Sequence, residues 1–302
     1  MLKTKAVLKL ALSSSALICL TALLVTSWLL PASGTAIVID TTPPKVPSEM
    51  YVLKTVSKEI TRKQVLEIAA NVFSVSGEAQ FINGSWNVIE GSREVWMYES
   101  GSIKYFDNLK MENSLCSPQE LPSVKNCLAI AEQFLEKLKA EELISKNLEL
   151  SFAEVANDTT VFALKDGTTT TFINNIHVNF ALSYNGISLW GPGAKVRVYI
   201  GEEGEIIGFI GNFWEVELAE KVKILTPEQA AEKLKEVGYG KSIPRDMVSK
   251  AIVKSIELVY YAPPPEAYNA NIMPFYVIKG SLIGKDGCVA DFAQIVSAVS
   301  ST

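Results

Sequence analysis

The sequence predicts an α+β protein in which an N-terminal transmembrane helix precedes units made of a helix and an antiparallel sheet. Two observations support this fold class. Polar and apolar residues alternate in many short segments, as they do in half-buried strands. Three capped helices, starting near Thr61, Ser123 and Thr226, interrupt those segments, and strands follow each of them. Helices grouped on one face of antiparallel sheets bury the apolar sides of both.

Residues 1–36 predict a cytoplasmic tip and a membrane anchor. Lys3, Lys5 and Lys9 precede Leu10–Leu30, a run that contains no charged residue. A helix needs about 20 apolar residues to cross a bilayer, and lysines before the run keep that end in the cytoplasm. The remaining chain is then the extracytoplasmic part of a single-pass cell-membrane protein. The alternative is a signal peptide, cleaved at the small residues after the run, and a secreted protein.

Composition predicts three further segments after the anchor. Residues 37–48 contain three prolines and predict a stiff stalk. Residues 49–111 predict a small α+β unit, and residues 112–302 predict a larger α+β domain. Hydrophobic residues make up 48% of the chain, which is enough for both of these parts to form a core.

Capping patterns predict where the helices begin and end. Thr61-Arg-Lys-Gln64 and Thr226-Pro-Glu-Gln229 match the capping box, in which the first and fourth residues satisfy each other's backbone N–H groups. Proline suits the first helical position of the second pattern, and Gly238 predicts the end of that helix. The middle helix is predicted over 123–139, with one apolar face.

The segment from Phe172 to Gly238 has the clearest strand pattern. Apolar and other residues alternate from Ile176 to Tyr184, and Asn185-Gly186 then predicts a tight hairpin turn. Alternation resumes at 195–200, and a turn at Gly201–Gly204 leads into a strand predicted over 205–217.

This segment resembles the PepSY and thermolysin-propeptide families. The resemblance is carried by an aromatic residue, paired glycines and a helix opening with Thr-Pro-Glu-Gln-Ala, at the positions Tyr184, Gly186, Trp190, Gly191, Gly204 and Thr226. Further on, 256–261 and 273–278 resemble the closing strands of YycI-type regulators of two-component kinases. The resemblance covers roughly residues 170–285. It implies PepSY-like helix-then-sheet units and a regulatory module that binds a protein or peptide.

Charge and motifs exclude several function classes. Beyond residue 36 the chain has 25 basic and 33 acidic residues, which is unlike a nucleic-acid-binding protein. No catalytic, cofactor-binding or metal-binding motif occurs. The sole histidine, His177, lies on the polar face of a predicted strand without a recognisable nucleophile or fellow ligand. We interpret it as a surface or hydrogen-bonded strand residue.

Two kinds of covalent modification are predicted outside the membrane. Cys116 and Cys127 are near enough in sequence for a disulfide in an oxidising compartment, although Cys127 also suits a buried thiol by its helical phase. Asn83 and Asn157 each begin an Asn-x-Ser/Thr glycosylation pattern in what reads as a polar turn.

The sequence therefore favours a membrane-anchored extracytoplasmic module that is not an enzyme. It would bind and modulate a protein or peptide partner, such as a protease or a sensor kinase in the same membrane, without a cofactor. An exposed sheet edge would bind an extended peptide by strand addition. The first alternative is a structural protein of the cell envelope, and the second is a secreted hydrolase that uses dispersed carboxylates.

Overall fold

A computed structural model of the chain describes residues 35–57, 59–114, 120–239, 244–264, 267 and 270–300. The strands are β1 Ala36–Ile39, β2 Glu49–Val56, β3 Glu78–Ile82, β4 Ser85–Glu90, β5 Arg93–Tyr98, β6 Ser102–Asp107, β7 Glu149–Ala163, β8 Thr169–Tyr184, β9 Ile187–Trp190, β10 Val196–Ile200, β11 Ile206–Asn212, β12 Glu215–Lys223, β13 Val248–Tyr261, β14 Asn271–Gly284 and β15 Val289–Ser297. The helices are α1 Arg62–Phe73, α2 Asn108–Ser114, α3 Val124–Ala140, α4 Pro227–Glu232 and α5 Leu234–Val237.

The predicted fold class is wrong. Strands take up 52% of the residues and helices 20%. Instead of separate PepSY-like helix-then-sheet units, the fifteen strands of the described chain form one mixed sheet, in the order β12-β2-β14-β13-β9-β8-β10-β11-β6-β5-β4-β3. Strands β1, β15 and β7 join it beside β13, β14 and β8. The sheet is mixed because β13 runs parallel to both β1 and β9.

The transmembrane helix of the predicted fold class is not found in the part of the chain that the structure describes. None of the helices there combines the length and the apolar character that crossing a bilayer requires. The segment predicted as the anchor, Leu10–Leu30, lies outside the described residues. Residues 37–39 of the predicted stalk belong to strand β1.

The chain divides into two compact units. The smaller unit comprises described residues 35–43 with Glu228–Ile256 and Ile278–Val296. In it β1 pairs with β13, and Ser249 Oγ donates a hydrogen bond of 2.8 Å to the Ile283 carbonyl. The larger unit comprises Pro44–Pro227, Glu257–Val277 and the described residues from Ser297 onward.

Helices α1 and α3 cover the core of the larger unit. Both start as predicted: Thr61 and Gln64 form a capping box at α1, and the Ser123 side chain caps α3. The buried face of α3 is apolar, as its periodicity predicts, and contacts β8. The core includes a cluster of aromatic rings from helices and sheet, namely Phe73, Tyr105, Phe134, Phe209 and Phe213.

The sheet of the larger unit has an apolar and a polar face around β8. Ile176, Val178 and Phe180 belong to the buried core, whereas His177 and Asn179 alternate with them. Helix α2 contacts β5, β6, β8 and β11. The polar residues of β8 therefore lie on the second face of the sheet.

Two predicted elements are each divided in the structure. The strand predicted over 205–217 is interrupted at Phe213 and Trp214, which are buried. The chain changes sheet partners there, because β11 pairs with β10 and β6 whereas β12 pairs with β2. The helix predicted from Thr226 is two short helices, α4 and α5, and it ends at Gly238 as predicted.

Candidate binding surface along strand β7

Strand β7 is a long strand with an unpaired edge. Fourteen of its fifteen residues, all except Ala153, pair with β8 from Glu149↔Ser183 to Ala163↔Thr169, and β8 is its only strand partner in the described chain. Natural edge strands are commonly protected by lysine, proline or very short length. Strand β7 contains no lysine, arginine or proline, and its only charged residues are Glu149, Glu154 and Asp158. The edge is therefore open to another strand, although a bulge at Ala153 interrupts its regular alternation.

An apolar cleft borders β7 on the side of helix α3. Its floor consists of Leu135 from α3, Leu150 and Phe152 from β7, and Phe180 from β8. The charged residues that line it are Glu132, Glu136 and Lys139, and its volume is about 370 Å³. Phe152 remains 50% exposed, so an apolar group placed in this apolar cleft would cover it.

A β-bulge on β8 shapes a second cavity. Asp158 pairs with Asn175 and Thr159 pairs with Ile173, so Asn174 is an extra residue without a partner in the register. Bulges disrupt the simple alternation of side chains and can re-aim them. Asn174 and Asn175, consecutive residues that are each only 2% exposed, consequently line the same cavity.

We call this space the acceptor cavity. It measures about 390 Å³ and is lined by α2, β7 and β8, through Asn108, Met111, Glu112, Asp158, Thr159, Thr160, Asn174 and Asn175. This lining includes two carboxylates but no lysine, arginine or histidine. The lining is therefore acidic and rich in oxygen atoms.

Two residues that line the acceptor cavity each have a buried oxygen without a hydrogen-bond donor. Asn174 Nδ2 donates to Thr160 Oγ1 over 2.8 Å, which orients the amide. The Oδ1 atoms of Asn174 and Asn175 are buried and accept no hydrogen bond. Leaving a buried acceptor unsatisfied costs about 1–3 kcal/mol, so a bound group that donates to these oxygens would recover free energy.

Next to the cavity, the polar face continues through His177. Its Nδ1 lies 3.5 Å from Asp158 Oδ1, too far for a good hydrogen bond, and its side chain is 8% exposed. Burial and the positive charge of Arg197 lower the pKa of His177, while Asp158 and Glu154 act in the opposite direction. His177 is thus on the polar face as predicted, but it is buried and is not a surface residue.

Arg197 connects the rest of this polar face. Its Nε donates to Asn179 Oδ1 over 2.7 Å, and its Nη1 donates to the Tyr199 hydroxyl over 3.3 Å. Asn179 Nδ2 in turn donates to Glu154 Oε1 over 3.1 Å. The guanidinium is therefore already engaged within the sheet, and Arg197 does not line the acceptor cavity.

A separate acidic cleft of about 320 Å³ lies between helix α1 and the end of α3. Its apolar floor includes Met97, Ile103 and Phe213, and its carboxylates are those of Glu59, Glu67, Glu141 and Glu142. Two of these carboxylates already have lysine partners: Glu67 lies 3.6 Å from Lys63, and Glu142 lies 3.8 Å from Lys146. None of the described residues that line this cleft has a buried polar atom without a hydrogen-bond partner. The cleft is therefore a weaker candidate for a binding site than the acceptor cavity.

The residues that carry the family resemblance lie in turns and ring contacts. Asn185 and Gly186 form the predicted turn with φ angles of 49° and 74°. The rings of Tyr184 and Trp190 contact Tyr260 and Tyr261.

The remaining three positions of that pattern also lie outside the candidate site. Gly191 has a φ of 116°, and a Cβ there would lie 2.7 Å from the Ala262 carbonyl oxygen. Gly204 has a φ of 84° and ends a short turn, and Thr226 precedes α4. None of these residues lines the apolar cleft or the acceptor cavity.

Of the predicted modification sites that the structure describes, the two asparagines are exposed and Cys127 is buried. Asn83 is exposed in the β3–β4 turn, with a φ of 50°. Asn157 is exposed too, but it lies within β7 and is not in a turn. Cys127 is fully buried, and its Sγ lies 3.6 Å from the Pro122 carbonyl oxygen. Cys116 lies outside the described residues, so the disulfide stays a prediction.

No motif in the sequence singles out Asp158, Asn174 and Asn175. The available signal was the pair of adjacent asparagines at 174–175, which interrupts the alternation of an otherwise regular strand. A β-bulge is one explanation of such an interruption. Its partner residue on β7 could not be identified without the register.

No known protein family matches this chain, and no curated protein matches it either. Among solved structures, the chain is similar to an uncharacterized protein from Eubacterium rectale, with a TM-score of 0.47 and 15% sequence identity. The match covers 89% of this chain and 88% of that one. A similarity of this degree supports no inference about function. Membership in the PepSY or YycI-type families therefore has no support beyond the sequence pattern.

Proposed function

We propose that this protein is a membrane-anchored, extracytoplasmic binding and regulatory module that binds an extended polypeptide by adding it as a strand to β7. The observation that carries the proposal is a fifteen-residue edge strand with a cleft on each of its faces. Backbone hydrogen bonds along such an edge provide affinity, and pockets for alternate side chains provide selectivity.

The two faces of an added strand would meet different surroundings. Successive side chains of a strand point to opposite faces, so every second one would face α3 and the others would face α2. On the α3 side they would meet the apolar cleft beside Phe152, and on the α2 side the acceptor cavity beside Asp158. The partner would therefore combine apolar with polar or basic residues.

The charge pattern of residues 1–30 supports the location outside the cytoplasm. Three lysines before the uncharged run Leu10–Leu30 favour a cytoplasmic N-terminus and an extracytoplasmic domain. A protease or a sensor kinase in the same membrane is the class of partner that we propose. Binding of such a partner to β7 would modulate it without chemistry on this chain.

Photo-crosslinking from β7 in native membranes tests the proposal. The full chain would carry benzoylphenylalanine in place of Phe152 on β7 or, as the control, in place of Phe81 on β3. Both phenylalanines are 50% exposed on edge strands, but β3 has only five residues. We expect one recurrent extracytoplasmic polypeptide to crosslink at position 152 and not at position 81.

Amide hydrogen exchange of the purified complex gives an independent readout. A strand added to β7 would protect the amides on the free edge of β7, which are at alternate positions. Equal capture from positions 81 and 152, or unchanged exchange along β7 in the complex, would rule out strand addition at this edge.

A further inference from the structure

The acceptor cavity is specific about the chemistry it can bind. Two of its lining residues have an orphaned buried acceptor, Asn174 Oδ1 and Asn175 Oδ1, and Asp158 and Glu112 line the same space. We propose that the acceptor cavity binds the guanidinium group of an arginine in the strand added to β7. This inference rests on the proposed function, because it assigns one side chain of the polypeptide that β7 binds.

A guanidinium group matches the acceptor cavity better than other cations. It presents five N–H donors in a planar fork, so one group can donate to several acceptors contributed by α2, β7 and β8. Hydrogen bonds between a charged donor and a carboxylate are roughly twice as strong as neutral ones. A lysine ammonium concentrates its three donors on one atom and cannot span the walls in the same way.

A metal ion fits the cavity less well. Divalent cations bind oxygen ligands at 2.0–2.6 Å, and a site for one is much smaller than 390 Å³. In the part of the chain that the structure describes, no group of three or more His, Cys, Asp or Glu side chains is arranged to hold a metal. The volume instead suits the end of a long organic side chain.

The position of the cavity predicts where the arginine lies in the partner strand. Phe152 at the apolar cleft and Asp158 at the acceptor cavity are six residues apart on β7, but Ala153 between them is an extra bulge residue, so they are five regular strand positions apart, or about 17 Å. Their clefts lie on opposite faces, so the matching residues of the partner are separated by an odd number of positions. We therefore expect an apolar residue and an arginine about five or seven positions apart.

A displayed library tests this pattern on the full chain. The library consists of ten-residue peptides that are randomised at every position and selected for binding to the full chain. Selected peptides are then tested for whether they compete with the polypeptide that crosslinks to benzoylphenylalanine at position 152. We expect arginine to be enriched at one position, five or seven residues from an apolar one. Replacing that arginine by citrulline, which keeps the shape but is uncharged, should weaken binding at least tenfold.

Variants of the cavity assign the effect to its residues. In Asp158→Asn and Glu112→Gln the tenfold preference for arginine over citrulline should shrink to about twofold, whereas Asp166→Asn, at the exposed β7–β8 turn, should retain it. Asn175→Leu should reduce the preference for arginine over citrulline to the same extent as Asp158→Asn, provided that thermal unfolding shows that the Asn175→Leu variant is folded. Glu112 is exposed, so Glu112→Gln tests the inference even if Asn175→Leu does not fold.

The outcomes separate this inference from the proposed function. Peptides that protect β7 in hydrogen exchange but show no arginine preference would overturn the inference and leave the proposed function intact. An arginine preference that survives in both Asp158→Asn and Glu112→Gln would also overturn it. A library that yields no peptide competing at Phe152 would overturn both.

Discussion

Asp158 Oδ1 lies 3.5 Å from His177 Nδ1, although the two residues come from different strands and His177 is almost fully buried. The nearby carboxylate favours protonation, but burial and the positive charge of Arg197 oppose it more strongly, so the pKa of His177 is lowered. The balance keeps the imidazole neutral in the folded state at a pH where an exposed histidine would begin to protonate.

The lowered pKa of His177 predicts a loss of stability in mild acid. The unfolded chain takes up a proton on this histidine as the pH falls below about 6.5, while the folded chain takes it up only at lower pH. The contribution of His177 is therefore complete above about pH 6.5 and is lost as the pH falls toward the folded pKa. Urea denaturation at pH 7, 6 and 5 measures this dependence.

The control for that prediction is His177→Gln. His177 is the sole histidine in the chain, so this variant removes all histidine titration. Its free energy of unfolding should change less than that of the wild type between pH 7 and 5, a range in which most carboxylates remain ionised. Parallel curves for the two proteins would show that the folded pKa of His177 is not lowered.

Thr61→Ala should destabilise the larger unit by about 1 kcal/mol. The Gln64 N–H donates to Thr61 Oγ1 over 3.3 Å, and the Thr61 N–H donates to Gln64 Oε1 over 2.9 Å. After the substitution, the Gln64 N–H at the start of α1 loses its side-chain acceptor and can bond only to water. Urea denaturation compares it with Arg62→Ala, an exposed position in the same turn that should stay within about 0.5 kcal/mol of the wild type. Equal effects of the two variants would contradict the capping role.

Gly193→Ala should destabilise the protein by about 3 kcal/mol because there is no space for a methyl group. A Cβ at this position would lie 2.0 Å from the Pro263 carbonyl oxygen and 2.5 Å from Trp214 Cζ2. At Gly84 nothing lies within 4 Å, and only its φ of 75° disfavours alanine, at about 1 kcal/mol. Thermal unfolding of both variants should therefore show a larger loss for Gly193→Ala, and the reverse order would contradict this close approach.

Tyr260→Phe should cost about 1 kcal/mol, because it removes a hydrogen bond between two strands that are distant in sequence. The Tyr260 hydroxyl donates to the Tyr51 carbonyl over 2.8 Å, and burial, with a smaller effect from Tyr184, raises the pKa of Tyr260 to about 12. Tyr261→Phe is the matched control, since among the described residues its hydroxyl has no hydrogen-bond partner. Guanidinium denaturation compares the two, and a greater loss in Tyr261→Phe would refute the assignment.

Raising the pH tests the same tyrosine in a second way. The unfolded chain releases the proton of Tyr260 near pH 10, whereas the folded chain retains it to about pH 12. The stability that this group contributes is therefore present below pH 10 and is lost as the pH rises through that range. In spectrophotometric titration of the folded protein, Tyr260→Phe should lack one phenol that titrates late.

Local features of the fold could be predicted from short sequence patterns. The turn at Asn185-Gly186, the cap at Thr61 and the helix end at Gly238 all depend on residues within a few positions of one another. The segments 256–261 and 273–278, which resemble closing strands in the sequence, also lie within β13 and β14. Backbone preferences and nearby hydrogen bonds are enough to specify such elements.

Strand partners could not be predicted in this way. The alternation in β2 indicates which of its residues are buried, yet it does not indicate that β12, more than 150 residues later, is the neighbour. Likewise nothing in the local pattern of β9 predicts its parallel pairing with Tyr260 and Tyr261. Ladder hydrogen bonds use the same backbone groups in every strand, so the choice depends on packing of the whole sheet.

The candidate site likewise combines features that follow from local sequence with features that depend on strand pairing. By itself the sequence determined the helix caps, the hairpin turn, the polar face that includes His177 and the uncharged N-terminal run. Only the tertiary structure decided that Asn174 would be the extra residue of a bulge opposite Asp158, and that β7 would keep one edge unpaired. The physical reason is that register and burial are properties of two strands together, whereas periodicity is a property of one.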